Sequence, residues 1–251
     1  MILGLQLHSL RRECAADPAA TLRRVRGLGF DHIELAGTYG WTAAAWRALL
    51  DETGLRVIGL HLSLDDLAER LPDWIAFSQA IGSTRYVLGS LPEAERTADG
   101  YRRAAALLGR AAAAVQPHGG RVYYHHHAFE FADLGGAEPT NGLELLLRET
   151  DPNQVALEVD THWVEKGGWD SYQFIVAHAS RVGMIHARDI ARVDGDDRPP
   201  GQGDVNFPSI LSLAKASGWP VIAEFGGTVA EPFEAARASA AYLRGLLARM
   251  R

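Results

Sequence analysis

An α/β fold, a single (β/α)8 barrel with its active site at the C-terminal ends of the strands, is what the sequence predicts, on three observations. The chain is 251 residues long, the usual size of one such barrel. Eight short apolar or β-branched runs alternate with eight longer Ala/Leu/Arg-rich segments of helical period. Glycines punctuate the passages from helix to strand, and no Pro/Ser-rich linker or shift in composition divides the chain, so one domain over 1–251 is expected.

The eight strands are expected at Ile2–Leu7, His32–Leu35, Arg56–Leu62, Arg85–Leu88, Arg121–His125, Val155–Val159, Val182–Ala187 and Val221–Phe225. Helical period falls between them at Ala16–Leu28, Ala43–Thr53, Leu67–Ile81, Ala94–Val115, Asn141–Glu149, Ser171–Ala179, Phe207–Ala216 and Pro232–Arg249. Gly29, Gly54, Gly82, Gly119 and Gly218 each follow a helical stretch and precede a strand, where a left-handed C-cap is expected. The Ala-rich tract Ala104–Ala114, with Leu107 and Leu108, suits an outer barrel helix. A doubly wound open sheet is the competing fold. It announces itself by a Gly-rich turn after the first strand, and His8-Ser-Leu-Arg-Arg is no such turn.

Composition narrows the function. Hydrophobic residues make up 47% and charged residues 22% of the chain, ordinary for an enzyme with a substantial core. A formal charge of −6 gives no general attraction to phosphate backbones, so nucleic acid is not the expected partner. The one cysteine, Cys14, excludes an intramolecular disulfide or a multi-cysteine zinc site. Only Lys166 and Lys215 are available for Schiff-base chemistry, and neither lies in a strand-like run. No apolar run approaches the roughly 20 residues that span a bilayer, and the N-terminal apolar run is too short for a secretory signal. A cytoplasmic protein without a membrane partner is expected, and a homo-oligomer is compatible with this composition.

A barrel builds its active site from residues at the carboxyl ends of its strands. Polar residues gather there: Gln6 and His8 at the first strand, Glu34 at the second, His61 at the third, His125, His127 and Glu130 at the fifth, Asp160 at the sixth, His186 at the seventh and Glu224 at the eighth. With His126 and His162, seven of the ten histidines fall in these clusters. Successive side chains of a strand face opposite ways, so Ala156, Glu158 and Asp160 share one face, as do Met184, His186 and Arg188, and Ile222 and Glu224. Asp160, His186 and Glu224 are thereby expected around one mouth. Carboxylates with an imidazole and no thiolate suit Mn2+ first, with Mg2+, Co2+ or Zn2+ as alternatives. Capping a helix or pairing with a rim arginine is the plain alternative for Asp160 and Glu224. Glu34 and Glu158 are expected to make structural or outer-shell contacts. His126 should face away from His125 and His127.

The segments LQLHSLR at 5–11, GFDHIEL at 29–35, YHHHAFEF at 124–131, LEVDTHW at 157–163, IHARD at 185–189 and PGQGDVNF at 200–207 follow in an order that resembles the xylose-isomerase-like TIM-barrel superfamily, specifically its sugar phosphate isomerase/epimerase branch. The resemblance covers nearly the whole chain. It implies a divalent metal held by Glu, Asp, His and Glu from strands five to eight: Glu130, Asp160, His186 and Glu224 here, with His125 or His127 as alternatives on the fifth strand. It further implies a small carbohydrate substrate, and proton abstraction beside a carbonyl through an enediolate. Glu130 and Glu224 would be the acid/base pair, with His8, His61, His125, His127, Trp163 and Arg188 binding substrate. Three departures alter the groups around the sugar and point away from a simple free-ketose 3-epimerase. Trp163 stands where ketose epimerases tend to place a histidine, Arg188 where a lysine is common, and His126 where an asparagine is common.

Three rivals remain at this point. The same proton abstraction serves a dehydratase or a β-eliminating lyase acting on keto-sugars, inososes or 3-keto-glycosides. A nuclease of the endonuclease IV type shares the barrel but needs three zinc ions and a basic groove. A sugar-binding barrel without catalysis is the third. The Gly201-Gln-Gly-Asp segment and the Gly226-Gly227 pair follow strands seven and eight, where barrels often bind phosphate, although a plain surface loop is the simpler reading.

Overall fold

The computed structural model describes residues 1–135, 140–226 and 229–250. Eight parallel strands close on themselves: β1 (Leu3–Gln6), β2 (His32–Ala36), β3 (Arg56–Leu62), β4 (Arg85–Leu88), β5 (Arg121–His125), β6 (Val155–Asp160), β7 (Val182–Ala187) and, after a two-stranded antiparallel hairpin of β8 (Asp189–Ala191) and β9 (Asp196–Arg198), β10 (Val221–Ala223). β1 pairs with both β2 and β10, which completes the barrel and leaves it without an edge. The expected fold class is the observed one.

The helices are α1 (Arg11–Ala16), α2 (Pro18–Gly27), α3 (Ala43–Thr53), α4 (Leu64–Glu69), α5 (Leu71–Ile81), α6 (Ala98–Val115), α7 (Gly142–Glu149), α8 (Thr161–Lys166), α9 (Ser171–Ala177), α10 (Phe207–Ser217) and α11 (Pro232–Arg249). Local chemistry sets their ends. Thr42 and Thr97 accept from backbone N–H groups three residues on and so start α3 and α6, while Gly54, Gly82 and Gly218 close α3, α5 and α10 in the left-handed conformation. One expected helix, Leu67–Ile81, is split into α4 and α5, and α1 is an additional short helix ahead of the expected Ala16–Leu28. Asp17 caps α2 with Pro18 at its first position, separating it from α1, and Pro72 at the start of α5 separates it from α4. The short α8 and the β8–β9 hairpin carry too little periodicity to be read from the sequence. No helix among the described residues is long and apolar enough to cross a membrane.

Alternation along the strands divides the apolar residues into two bodies. Outward-facing residues such as Leu5, Val122, Leu157 and Ile185 join the helices in one large core. Inward-facing Ile58, Val87, Tyr123, Ala156, Met184 and Ile222 form a separate plug that fills the lower barrel. Above that plug the inward positions become polar. The register sets His125 beside Glu158, and Asp160 beside His186, so the polar residues share one level near the carboxyl ends.

Candidate active site

Each polar side chain of the upper barrel is aimed by a local feature of its own. Asp160 ends β6 and caps α8: its Oδ1 accepts from the Trp163 N–H at 3.1 Å. That bond fixes the carboxylate with Oδ2 turned inward and buried. One oxygen of Asp160 thus caps the helix while the other is left free to face the cluster. Glu224 follows β10, and its N–H continues the ladder by donating to the Ala187 carbonyl at 3.0 Å. His186 lies inside β7, and His125 ends β5; both are buried.

These four residues, from four neighbouring strands, each bring a ligand atom within 4.8 Å of the others. His125 Nδ1, Asp160 Oδ2, His186 Nδ1 and Glu224 Oε2 are all buried without a hydrogen-bond partner. His186 Nδ1 comes within 2.6 Å of Glu224 Oε2 without the alignment of a hydrogen bond, and lies 4.0 Å from Asp160 Oδ2. Buried polar atoms are nearly always partnered. Four orphans within one cluster of residues, two imidazole nitrogens and two carboxylate oxygens, fit a divalent cation in number and in kind. The group can therefore hold a divalent metal.

Below them lies a second polar tier. Glu34 and Glu158 are fully buried. His186 Nε2 is 2.6 Å from Glu34 Oε2 and 3.1 Å from Glu158 Oε1, and His61 Nε2 is 2.7 Å from Glu158 Oε2. Gln6 Nε2 donates to Glu34 Oε2 at 2.8 Å. Gly59 leaves the space for this carboxylate, because a Cβ there would sit 2.6 Å from Glu34 Oε1. Carboxylate contacts to one nitrogen of an imidazole fix its ring orientation; Glu158, expected to lie outside the ligand set, also falls in a group of potential ligands with His61, His125 and His186.

Charge follows geometry. Burial disfavours a protonated His61, but Glu34 and Glu158 outweigh it and push the imidazole up to about 10. The same contest, with Glu158, Glu224 and Glu34 against burial, holds His186 well above its ordinary value. Burial, reinforced by the charge of Glu224, raises the Asp160 carboxyl to about 7 against the pull of Arg188. Burial is likewise the main reason that His127 is pushed down to about 4.

Over the cluster opens a cavity of about 520 Å3. His8, His61, His125, His127, Trp163, Arg188 and Glu224 all line it, so every residue expected to touch substrate reaches the mouth. Trp163 lies below the Arg188 guanidinium, 4.9 Å from ring centre to Cζ, and its centroid is 5.1 Å from that of His127. Arg188 Nη1 is 3.5 Å from Glu224 Oε1, while its Nε donates to Asp197 Oδ2 at 2.7 Å and Nη2 binds the same oxygen. Asp197 also accepts from the Gly226 N–H at 3.1 Å. The sequence reading missed Asp197, which arrives from the β8–β9 hairpin and carries no local signal.

Glu130 is the correction. Its carboxylate accepts from Tyr124 Oη at 2.6 Å and from the His127 N–H at 2.8 Å, so both oxygens are engaged. Tyr124 belongs to the outward, helix-facing side of β5, between inward Tyr123 and His125, and it draws Glu130 to that side. Glu130 is in neither group of potential ligands; from the fifth strand it is His125, the alternative left open in the sequence, that reaches both groups. Burial raises the Glu130 carboxyl to about 7, partly offset by those two hydrogen bonds. His126 does face away from its neighbours, with Nε2 accepting from the Asp160 N–H at 3.3 Å and its ring edge-on to Phe131.

The loop after β7 is also not a phosphate cradle. The N–H groups of Gly201, Gly203 and Val205 all donate to the buried Asp189 carboxylate at 2.9–3.0 Å. Gly227, the other glycine considered for phosphate, lies outside the described residues.

Comparison with known proteins agrees with this fold. An inosose dehydratase from Geobacillus thermodenitrificans (strain NG80-2) is 29% identical over 149 residues, covering 50% of this chain and 48% of that protein. The chain thus spans about half the length of the curated relative it matches. A sugar phosphate isomerase/epimerase from Parabacteroides distasonis ATCC 8503 superposes with a TM-score of 0.78 at 25% identity, covering 96% of this chain and 93% of the other. The probable 3-DHS dehydratase involved in petrobactin synthesis from Bacillus anthracis shares the fold, with a TM-score of 0.74 at 14% identity and 97% and 99% coverage. Residues 22–246 match the family described as xylose isomerase-like TIM barrel, and with that barrel and its strand-end cluster in place, the chain belongs to this family.

Proposed function

We propose that the protein is a divalent-metal-dependent lyase that dehydrates a small polyhydroxylated ketone of the keto-sugar or inosose kind. The observation that carries this reading is the set of four buried, partnerless ligand atoms under a polar cavity. His125, Asp160, His186 and Glu224 would hold the cation. When bound there, a divalent cation polarises a carbonyl oxygen and so acidifies the adjacent C–H.

The chain's own groups supply the proton transfers. His127 lines the cavity with a partnerless Nδ1 and is placed to accept the proton from carbon. The C–H electron pair becomes the new C=C bond as the neighbouring C–O bond breaks. His61, between two carboxylates and open to the cavity, gives the departing hydroxyl its proton, and one water leaves. Arg188 orients substrate oxygens, and Trp163 offers an apolar surface to the ring.

Elimination is preferred to epimerisation because Glu224 is the only carboxylate lining the cavity among the described residues. The carboxylate pair expected to exchange protons on two faces is incomplete once Glu130 is turned outward. The inosose dehydratase relative supports the same outcome. Isomerase or epimerase action remains the second reading, favoured by the likeness to the Parabacteroides distasonis isomerase/epimerase.

The test incubates purified protein and Mn2+ in D2O with an inosose, a 3-keto-glycoside and a free ketose, followed by NMR and mass spectrometry. Loss of one water from the ketone is the expected result. Deuterium entering recovered substrate or its epimer, with no water lost, would transfer the assignment to the isomerase reading. No exchange and no product from any of the three would sink both.

A further inference from the structure

We propose that the mouth of the barrel carries a second subsite, on the ends of β2, β3 and β4, which takes an uncharged second sugar ring attached to the reacting ketone ring. The proposal rests on the reading above in one respect: the ketone ring is seated over His125, Asp160, His186 and Glu224.

Placement is the first argument. Those four residues come from β5, β6, β7 and the end of β10, which are neighbours on one side of the barrel, while β2, β3 and β4 complete the opposite side. The cavity of about 520 Å3 spans both. Trp163, Arg188 and Glu224 line it on the first side, and Ala36, Gly37, Leu62, Gly89 and Ser90 line it on the second. Sites of about 300–1,000 Å3 bury drug-sized ligands, so this one has room beyond a single six-membered ring. A ring held at the cluster leaves the β2–β4 wall to another part of the same molecule.

The chemistry of that wall is the second argument. Ala36 ends β2 and Leu62 ends β3, and the Gly89 N–H donates to the Leu62 carbonyl at 3.1 Å, which ties the ends of β3 and β4 together. A Cβ placed on Gly37 would meet nothing within 4 Å, so the wall opens onto free space there. Ala36 and Leu62 offer aliphatic surface to the C–H face of a sugar ring, with a few polar groups left to set its orientation. The Ser63 hydroxyl donates to Asp66 Oδ2 at 2.7 Å, so Ser90 is the wall hydroxyl placed to meet a hydroxyl of the ligand.

Charge excludes a phosphate from the same place. None of the five wall residues is charged, and Asp65 and Asp66 open the first turn of α4 just beyond Leu62. Arg188 stands across the mouth, with Nε and Nη2 already on Asp197. A phosphate on this wall would face carboxylates without the charge-assisted donors that anions require, whereas a neutral ring would not.

The test measures binding and needs no turnover. Calorimetry in the presence of Mn2+ compares methyl glucoside, its phosphate monoester and methyl cellobioside, none of which carries a carbonyl. Methyl cellobioside should bind at least about tenfold more tightly than methyl glucoside, and the phosphate ester no more tightly than methyl glucoside. Ala36→Leu and Ser90→Leu crowd the wall from the ends of two different strands, and each should remove that advantage. Equal affinity for one ring and two, tightest binding of the phosphate ester, or an advantage that survives in both variants would overturn the subsite. Because the unaltered protein gives the primary comparison, a variant that fails to fold does not remove the test. A gain from the second ring with no product in the D2O experiment would end the lyase reading alone. Water loss from an inosose with no gain from the second ring would end the subsite alone.

Discussion

The two halves of the barrel interior are built from the same strands, in the same alternation, to opposite ends. In the lower half, Ile58, Val87, Tyr123, Ala156, Met184 and Ile222 meet as an apolar plug. One or two inward positions further along, those strands carry His61, His125, Glu158, Asp160, His186 and Glu224, nearly all buried. The plug is held by packing, and each of its residues is satisfied by its neighbours. The upper tier is buried to a similar degree yet leaves atoms unsatisfied. Burial without satisfaction lowers stability, so such a tier points to a ligand, whereas burial with satisfaction points to the fold.

Substitutions should separate the two halves. The largest effect on ion binding is expected from Asp160→Ala, which removes a ligand. Measured by calorimetry, affinity should fall by more than the roughly 10–100-fold that outer-shell changes cost; near-normal affinity would remove Asp160 from the ligand set. In the plug, Met184→Ala should lower unfolding free energy by about 2–5 kcal/mol while leaving ion affinity unchanged. A loss of affinity there would blur the contrast between the halves.

The pH dependence sharpens it further. Burial, together with Glu224, raises the Asp160 carboxyl to about 7, so below that pH it carries a proton that a cation must displace. Ion affinity should therefore fall by at least about tenfold for each pH unit below that point, and keep rising above it as His186, which its carboxylate neighbours hold protonated, gives up its proton. Proton release on binding, read from calorimetry in buffers of different ionisation enthalpy, checks the sign; proton uptake would refute it.

Glu130→Ala tests the boundary between the halves. Two buried donors, Tyr124 Oη and the His127 N–H, would lose their acceptor. Stability should drop by about 1–3 kcal/mol with the ion count unchanged. A lost ion would return Glu130 to the ligand set. The smallest effect belongs to Asp197→Asn, which weakens the hold on Arg188. A change of about 0.5–1.5 kcal/mol in substrate binding is expected, with metal affinity unaltered.

The contrast between Glu130 and Asp160 also marks how far sequence reading reaches. Asp160 lies at the end of a strand, where the two-residue period still fixes which way a side chain faces. Glu130 is five residues beyond the end of β5, in a short 3-10 turn, and the period no longer applies there. Its direction is set by Tyr124, an outward residue on its own strand. Sequence spacing left Glu130, His125 and His127 open; packing brings His125 into the cluster and turns Glu130 away from it.

The sequence by itself determined the order of the eight barrel strands and the main helices between them, the glycine ends of α3, α5 and α10, and the polar residues at the strand ends. These follow from local periodicity and local backbone preference. Closure of the barrel decided the rest. Glu34 meets His186 across 152 residues of chain, Asp197 reaches Arg188 from a hairpin, and Asp189 gathers the amides of the following loop. Contacts of that kind depend on which strands become neighbours, and on where the chain turns after each strand. Neither is encoded in any single segment.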